Sequence, residues 1–146
     1  MRYFEDYAPG SMVELGDVSV SETDIVEFAR QYDPQDFHVD PVKAAAGPFG
    51  GVIASGWHTA SLMMGLLVAR YLDSETSLGS PGIDELRWPS PVRPGDVLSV
   101  RVSIIEARRS RTKPDRGLVR SHIAVRNQKG DTVMTVTAMN LIRCRP

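Results

Sequence analysis

The sequence predicts an α+β fold, and two stretches carry that expectation. Gly56–Leu72 has Trp57, Ala60, Met64, Leu67, Val68 and Tyr71 on one side of a helix and Leu62, Met63 and Leu66 on the other. A helix apolar nearly all round must be enclosed. From Ile83 to Ile142 the chain becomes a run of strand patterns separated by Gly, Pro and Asn turns. Strands that each bury one face can supply the enclosure by wrapping round the helix.

In chain order, Met12–Val20 reads as a strand leading into Ser21-Glu-Thr-Asp24, a variant capping box in which Ser21 accepts from a helix N–H and Asp24 sits in the first turn. Ile25, Val26, Phe28 and Ala29 then form the apolar face of a short helix ending near Gln31. An irregular loop follows over Asp33–His38, and Val42–Ala46 can form one helical turn before Gly47–Gly51 breaks it. Small residues in the long helix (Gly56, Ala60, Ser61, Gly65) let a sheet approach closely, and Arg70 and Asp73 mark its exit to solvent. Beyond Ser77–Gly82 come Ile83–Trp88, a turn-rich link over Pro89–Asp96, and Val97–Glu106, where Leu98, Val100, Val102 and Ile104 alternate with polar residues. Val119, Ile123 and Val125 repeat the alternation, Asn127–Asp131 turns the chain, and Thr132–Ile142 is the last strand. The whole is expected to form a single domain, residues 1–146.

Composition narrows the function classes. With 42% hydrophobic and 24% charged residues and a net charge of −1, the chain reads as a soluble globular protein rather than a nucleic-acid binder, which would carry a basic excess. The lone Cys144 cannot form an internal disulfide, and the start, Met1–Gly10, lacks an apolar signal core; a cytoplasmic location is expected. Val52–Ala69 is uncharged for 18 residues but contains Ser55, Gly56, His58, Thr59, Ser61 and Gly65, so a buried helix is expected there and no membrane association. The three histidines are scattered and no Cys/His pair has ligand spacing, so no metal is expected. Neither a dinucleotide or phosphate loop nor a nucleophile elbow around Ser61 is present in the sequence.

Asp33 and His38 are the leading site candidates. They lie five residues apart in a segment whose Pro34 and Pro41 forbid a continuous helix, which would splay them by about 140°. A loop can instead fold both toward one point, where a carboxylate and an imidazole hold a water and move its protons. Each also has a structural reading: Asp33 as a helix terminator or Asx turn, His38 as a satisfied buried histidine. Asp40 either orients His38 or caps the next turn, and the cap is favoured. Gly56 opens the long helix, where unpaired N–H groups and the positive dipole end suit an oxygen that becomes negative; it can equally be a small residue needed for packing. Ser55 is then the N-cap, and His58 is either a second acid or base or a packing residue beside Trp57.

The same residues carry a resemblance. Asp33-Pro-Gln-Asp-Phe-His38, the following Val39-Asp-Pro41, and Pro48–Leu62 (PFGGVIASGWHTASL) resemble the MaoC-like dehydratases, a family that includes the R-specific enoyl-CoA hydratases. The family pattern is roughly Gly-Asp-x-Asn-Pro-x-His-x-Asp, then an apolar run ending in His-Gly and a long helix. Here Tyr32 stands for the Gly, Gln35 for the Asn, Asp36 for the Pro and Ser55 for the second His, whereas Asp33 and His38 match. The resemblance runs from Phe4–Gly10 to the final strand and implies a hotdog fold, an antiparallel sheet wrapped round one central helix.

It also implies reversible hydration of a trans-2-enoyl thioester in fatty acid metabolism. Asp33 would activate water for attack on the β-carbon, His38 would hold that water and protonate the α-carbon, and the Gly56 N–H, with Ser55 and His58 as further substrate-binding candidates, would stabilise the thioester oxygen. No cofactor is expected: coenzyme A, or acyl carrier protein, is the handle of the substrate. Arg108–Lys113 is either a solvated hairpin or a contact for the phosphates of coenzyme A. A homodimer or higher homo-oligomer is implied. Asp36 near Asp33 would raise the proton affinity of the pair. Two rivals stand beside the hydratase: a hotdog acyl-CoA thioesterase and a non-catalytic acyl-thioester-binding subunit.

Overall fold

The structure is a computed structural model describing residues 1–146. β1 (Met12–Ser19) delivers the chain to Ser21, whose hydroxyl accepts from the Asp24 N–H at 3.1 Å and starts α1 (Glu22–Tyr32). Ile25 and Ala29, one turn apart, are the buried side of α1. The expected irregular loop contains a single helical turn, α2 (Asp36–Val39), because the Gln35 carbonyl accepts from the His38 and Val39 N–H groups. Asp40 caps α3 (Pro41–Ala46): its carboxylate accepts from the Val42 and Lys43 N–H groups, both at 3.1 Å, and Pro41 takes the first turn, where its missing N–H is no loss. The long helix α4 spans Gly56–Arg70.

Four strands follow: β2 (Gly82–Arg87), β3 (Val97–Arg109), β4 (Arg116–Arg126) and β5 (Thr132–Arg143). With β1 they form one five-stranded antiparallel sheet in the order β1-β3-β4-β5-β2. The alternation read from the sequence sets the inner face: Leu98, Val100, Val102, Ile104, Val119, Ile123 and Val125 are all buried. A slip of one residue would turn this entire set outward, so burial fixes the register. Leu15, Met63, Leu67 and Tyr71 join them in a core of 22 buried residues. Emptying one such position costs about 2–5 kcal/mol for Leu→Ala.

Two devices hold the C-terminal end of α4. A bulge in β1 between Glu14 and Gly16 frees the Leu15 carbonyl, which accepts from Arg70 Nη1 at 2.8 Å. Gly16 has φ +90°, and a Cβ there would run into the Arg70 guanidinium. Arg70 is the exposed last residue of α4, the expected exit to solvent, and its guanidinium also turns back onto the sheet. Beyond it, the Tyr71 hydroxyl meets Ser121 of β4 at 2.7 Å, and the Tyr7 hydroxyl donates to the Tyr71 carbonyl at 2.9 Å.

The enclosure of α4 is not complete within one chain. Trp57, Met64 and Val68, spaced seven and four residues apart along one side of the helix, remain 57%, 43% and 53% exposed. The sheet also ends in two unpaired edges, β1 and β2. No helix is long and apolar enough to cross a membrane.

Candidate active site

Three segments converge on one point. Asp33 is the C-cap of α1, its N–H donating to the Ala29 carbonyl at 2.8 Å. His38 follows in α2, and Ile53–Ser55 run in beside it as the extended lead into α4. That lead is held on both sides: the Ile53 N–H donates to the Phe37 carbonyl at 3.0 Å and the Ala54 N–H to the Val92 carbonyl at 2.8 Å. His38 and Ser55 are buried, whereas the Asp33 side chain keeps 20% of its surface exposed.

The hydrogen bonds order the side chains. His38 Nδ1 lies 2.6 Å from the Ile53 carbonyl, and a carbonyl can only accept, so Nδ1 carries a proton. Nε2 then faces Asp33 Oδ2 at 3.2 Å. That contact is attractive only with a second proton between the two atoms. The carboxylate is also gripped by Ser55 Oγ, donating to Oδ2 at 2.7 Å, and by Gln35 Nε2, donating to Oδ1 at 2.7 Å. Burial opposes ionisation of Asp33, but the donors from Gln35 and Ser55 and the His38 charge together hold its pKa below the ordinary carboxylate value. Asp33 is a carboxylate near neutral pH, with a proton-bearing imidazole against it.

A cavity of about 300 Å³ opens beside this group, lined by His38, Gly56 and Thr59 and walled by Ile53, Val92 and Val133. Gly56 is the first residue of α4, where N–H groups lack intrahelical partners. A Cβ at Gly56 would run into the Trp88 ring, which itself meets Trp57 edge-on with centroids 5.2 Å apart. The packing and oxyanion readings of Gly56 therefore coexist: the absent side chain admits the indole and leaves the helix end on the cavity. Phe37 packs edge-on against His38 at 4.6 Å and shields it.

Asp33, His38, Ser55 and Gly56 come together; His58 does not. Its ring stacks on Phe28 of α1, with centroids 4.7 Å apart and planes 9° apart, and it is not part of the cavity wall. Burial lowers its pKa, with Asp24 opposing, and its Nδ1 is buried without a hydrogen-bond partner. The basic run borders a separate cavity of about 450 Å³, lined by Arg108, Arg109, Arg111, Leu118 and Leu141, which shares no residue with the first. Asp36 turns away from Asp33 and pairs with Lys43 at 3.4 Å, so the expected carboxylate pair does not form. Sequence reasoning missed the Ile53 carbonyl and the Gln35 donor. Gln35 sits two residues from Asp33, within reach of an Asx-type turn, and could have been found that way; a backbone carbonyl leaves no residue-type signal.

Comparisons with known proteins bear on the family and the fold. The model of the family described as "MaoC like domain" matches residues 6–126. Over 113 residues the chain is 34% identical to a 3-hydroxyacyl-thioester dehydratase from Mycobacterium tuberculosis, covering 72% of this chain and 75% of that protein. The crystal structure of a MaoC-like dehydratase from Rhodospirillum rubrum superposes with a TM-score of 0.92 at 38% identity, over 100% of this chain and 99% of that one. A conserved hypothetical protein from M. tuberculosis, described as a double hotdog fold, matches with a TM-score of 0.79 at 19% identity, over 99% of this chain and 45% of that one. At that identity the likeness concerns the fold alone: the sheet wrapped on α4 is a hotdog.

Proposed function

Because this chain belongs to the MaoC-like dehydratase family, we propose that it adds water reversibly to a trans-2-enoyl thioester of coenzyme A, giving a 3-hydroxyacyl thioester. The observation that carries the proposal is the contact of Asp33 with His38, which lines the cavity together with Gly56. A carboxylate and a proton-bearing imidazole in contact are a base and an acid ready at once.

In the proposed cycle Asp33 takes a proton from water as its oxygen bonds to the β-carbon. The electron pair of the double bond moves toward the thioester carbonyl, whose oxygen becomes negative and is met by the Gly56 N–H and the positive end of α4. The enolate then collapses, and the α-carbon takes the proton of His38 Nε2. The proton on Asp33 returns to Nε2 across the 3.2 Å contact, which restores the starting state with one water consumed. No group outside the chain and its substrate is called for. Ser55 serves by holding Asp33, whereas His58, stacked on Phe28, is assigned no step.

We also assign the working form as a homo-oligomer, most simply a homodimer. Trp57, Met64 and Val68 on α4 and, on edge strand β2, Ile83, itself 51% exposed, are apolar surface of the kind a second copy would cover. The functional test is a panel of trans-2-enoyl-CoA and 3-hydroxyacyl-CoA thioesters with the purified protein. Loss of enoyl absorbance without release of free thiol is expected. Thiol release without hydration would assign a thioesterase instead, and binding without turnover would assign a non-catalytic subunit.

A further inference from the structure

A carboxylate has about four lone-pair positions, two on each oxygen. On Asp33, Oδ2 is occupied twice, by Ser55 Oγ at 2.7 Å and His38 Nε2 at 3.2 Å. Oδ1 is occupied once, by Gln35 Nε2 at 2.7 Å. The one acceptor position left for a reacting water is therefore on Oδ1, next to the Gln35 amide. Ser55 is fully buried and His38 is locked to the Ile53 carbonyl, but Gln35 reaches Asp33 from an exposed position at the N-cap of α2. It is the only one of the three donors on the solvent side.

We propose that Gln35 is a positioning residue for the hydration reaction: its amide fixes the rotation of the Asp33 carboxylate and directs the reacting water to the remaining lone pair of Oδ1. This rests on the functional reading above and adds a residue to it. Without the amide, Oδ1 has two open positions and the carboxylate is free to rock about its bonds to His38 and Ser55. The water then loses its single docking direction, and positioning is a large share of what such a site supplies.

The charge consequence has a definite sign. Gln35 donates to the ionised form of Asp33 and favours it. The titratable groups around Asp33 are His38, in contact from α2, and Asp36, which turns outward to Lys43; Ser55 and Gln35 themselves do not titrate. Removing the Gln35 amide raises the proton affinity of Asp33 and moves the acidic limb of the kcat/KM profile to higher pH.

The test compares wild type with Gln35→Met, close in length but without a donor, and Gln35→Glu, which places a second carboxylate at the same reach. For Gln35→Met, kcat falls about 10–100-fold, the range set by the loss of one hydrogen bond to a charged group, while KM for the enoyl thioester moves less than about twofold because the acyl cavity is untouched. Its acidic limb moves up, and that of Gln35→Glu moves further. A ¹³C titration of the Asp33 carboxyl, assigned by its loss in Asp33→Asn, follows the same order without turnover. Unchanged kcat or an unchanged Asp33 titration in Gln35→Met overturns the role. A wild type that hydrates no enoyl thioester overturns the functional reading first, so the two failures are distinguishable.

Discussion

Ser55 performs two tasks with one hydroxyl, and Ser55→Ala separates them by pH. The side chain is fully buried; it accepts from the Trp57 N–H at 3.3 Å as the cap of α4 and donates to Asp33 Oδ2 at 2.7 Å. Loss of a cap costs about 0.5–2 kcal/mol, and a long bond of this kind belongs near the lower end, about 0.5–1 kcal/mol. That share does not depend on pH. A hydrogen bond to a charged group is worth about 1.5–3 kcal/mol, and this share exists only while Asp33 is ionised. The expected loss near neutral pH is therefore about 2–4 kcal/mol.

Asp33 is held below its ordinary value of 3.8 in the folded state, so its stabilisation is fully present above that pH and disappears as pH falls through the lower folded value. In Ser55→Ala one cause of that depression is gone, and the pH-dependent share shrinks. The deficit of the variant should narrow in acid toward the cap share alone. Glu5, Asp6, Asp73 and Asp115 also have lowered pKa values, but they titrate alike in both proteins and cancel in the difference. Urea unfolding, followed by the fluorescence of Trp57 and Trp88 at one protein concentration, gives the difference directly. A deficit that stays constant from neutral pH to below 3.8 would mean that Ser55 acts only as a cap.

Asp33→Asn and His38→Ala should each lower hydration by about 10²–10⁴ while circular dichroism stays native, and near-normal turnover in both would refute the water-activation chemistry. Asp36→Asn should leave the acidic limb of the pH–rate profile in place and the rate within about twofold, because an exposed pair with Lys43 is worth little; a shifted limb would put Asp36 back beside Asp33. Val68→Glu, on the exposed stripe of α4, should convert a dimer to a monomer by light scattering, and a monomeric wild type at micromolar concentration would refute the assembly.

The sequence by itself determined the parts of this protein whose causes lie within a few residues. The Ser21 cap, the alternation of β3 and β4, the apolar α4 and the Asp40 cap were legible because capping and periodicity act locally. Asp33 and His38 were legible as candidates for a related reason: Pro34 and Pro41 break the helix in that segment, and the two residue types state their chemistry. Only the tertiary structure decided what those candidates touch. Ser55 reaches Asp33 across 22 residues, and the Ile53 carbonyl fixes the His38 tautomer across 15. Trp88 comes onto Gly56 only after the chain has run the length of α4 and the edge strand β2. Arg70 was legible as the helix exit, but its partner, a carbonyl freed by a bulge in β1, leaves no trace in residue type. Asp36 looked like a neighbour of Asp33 because they are three apart, yet the single turn of α2 rotates it toward Lys43. Local energies choose helix, strand and cap; which side chains meet depends on how distant segments close on one another, and that is fixed by burial of the whole core at once.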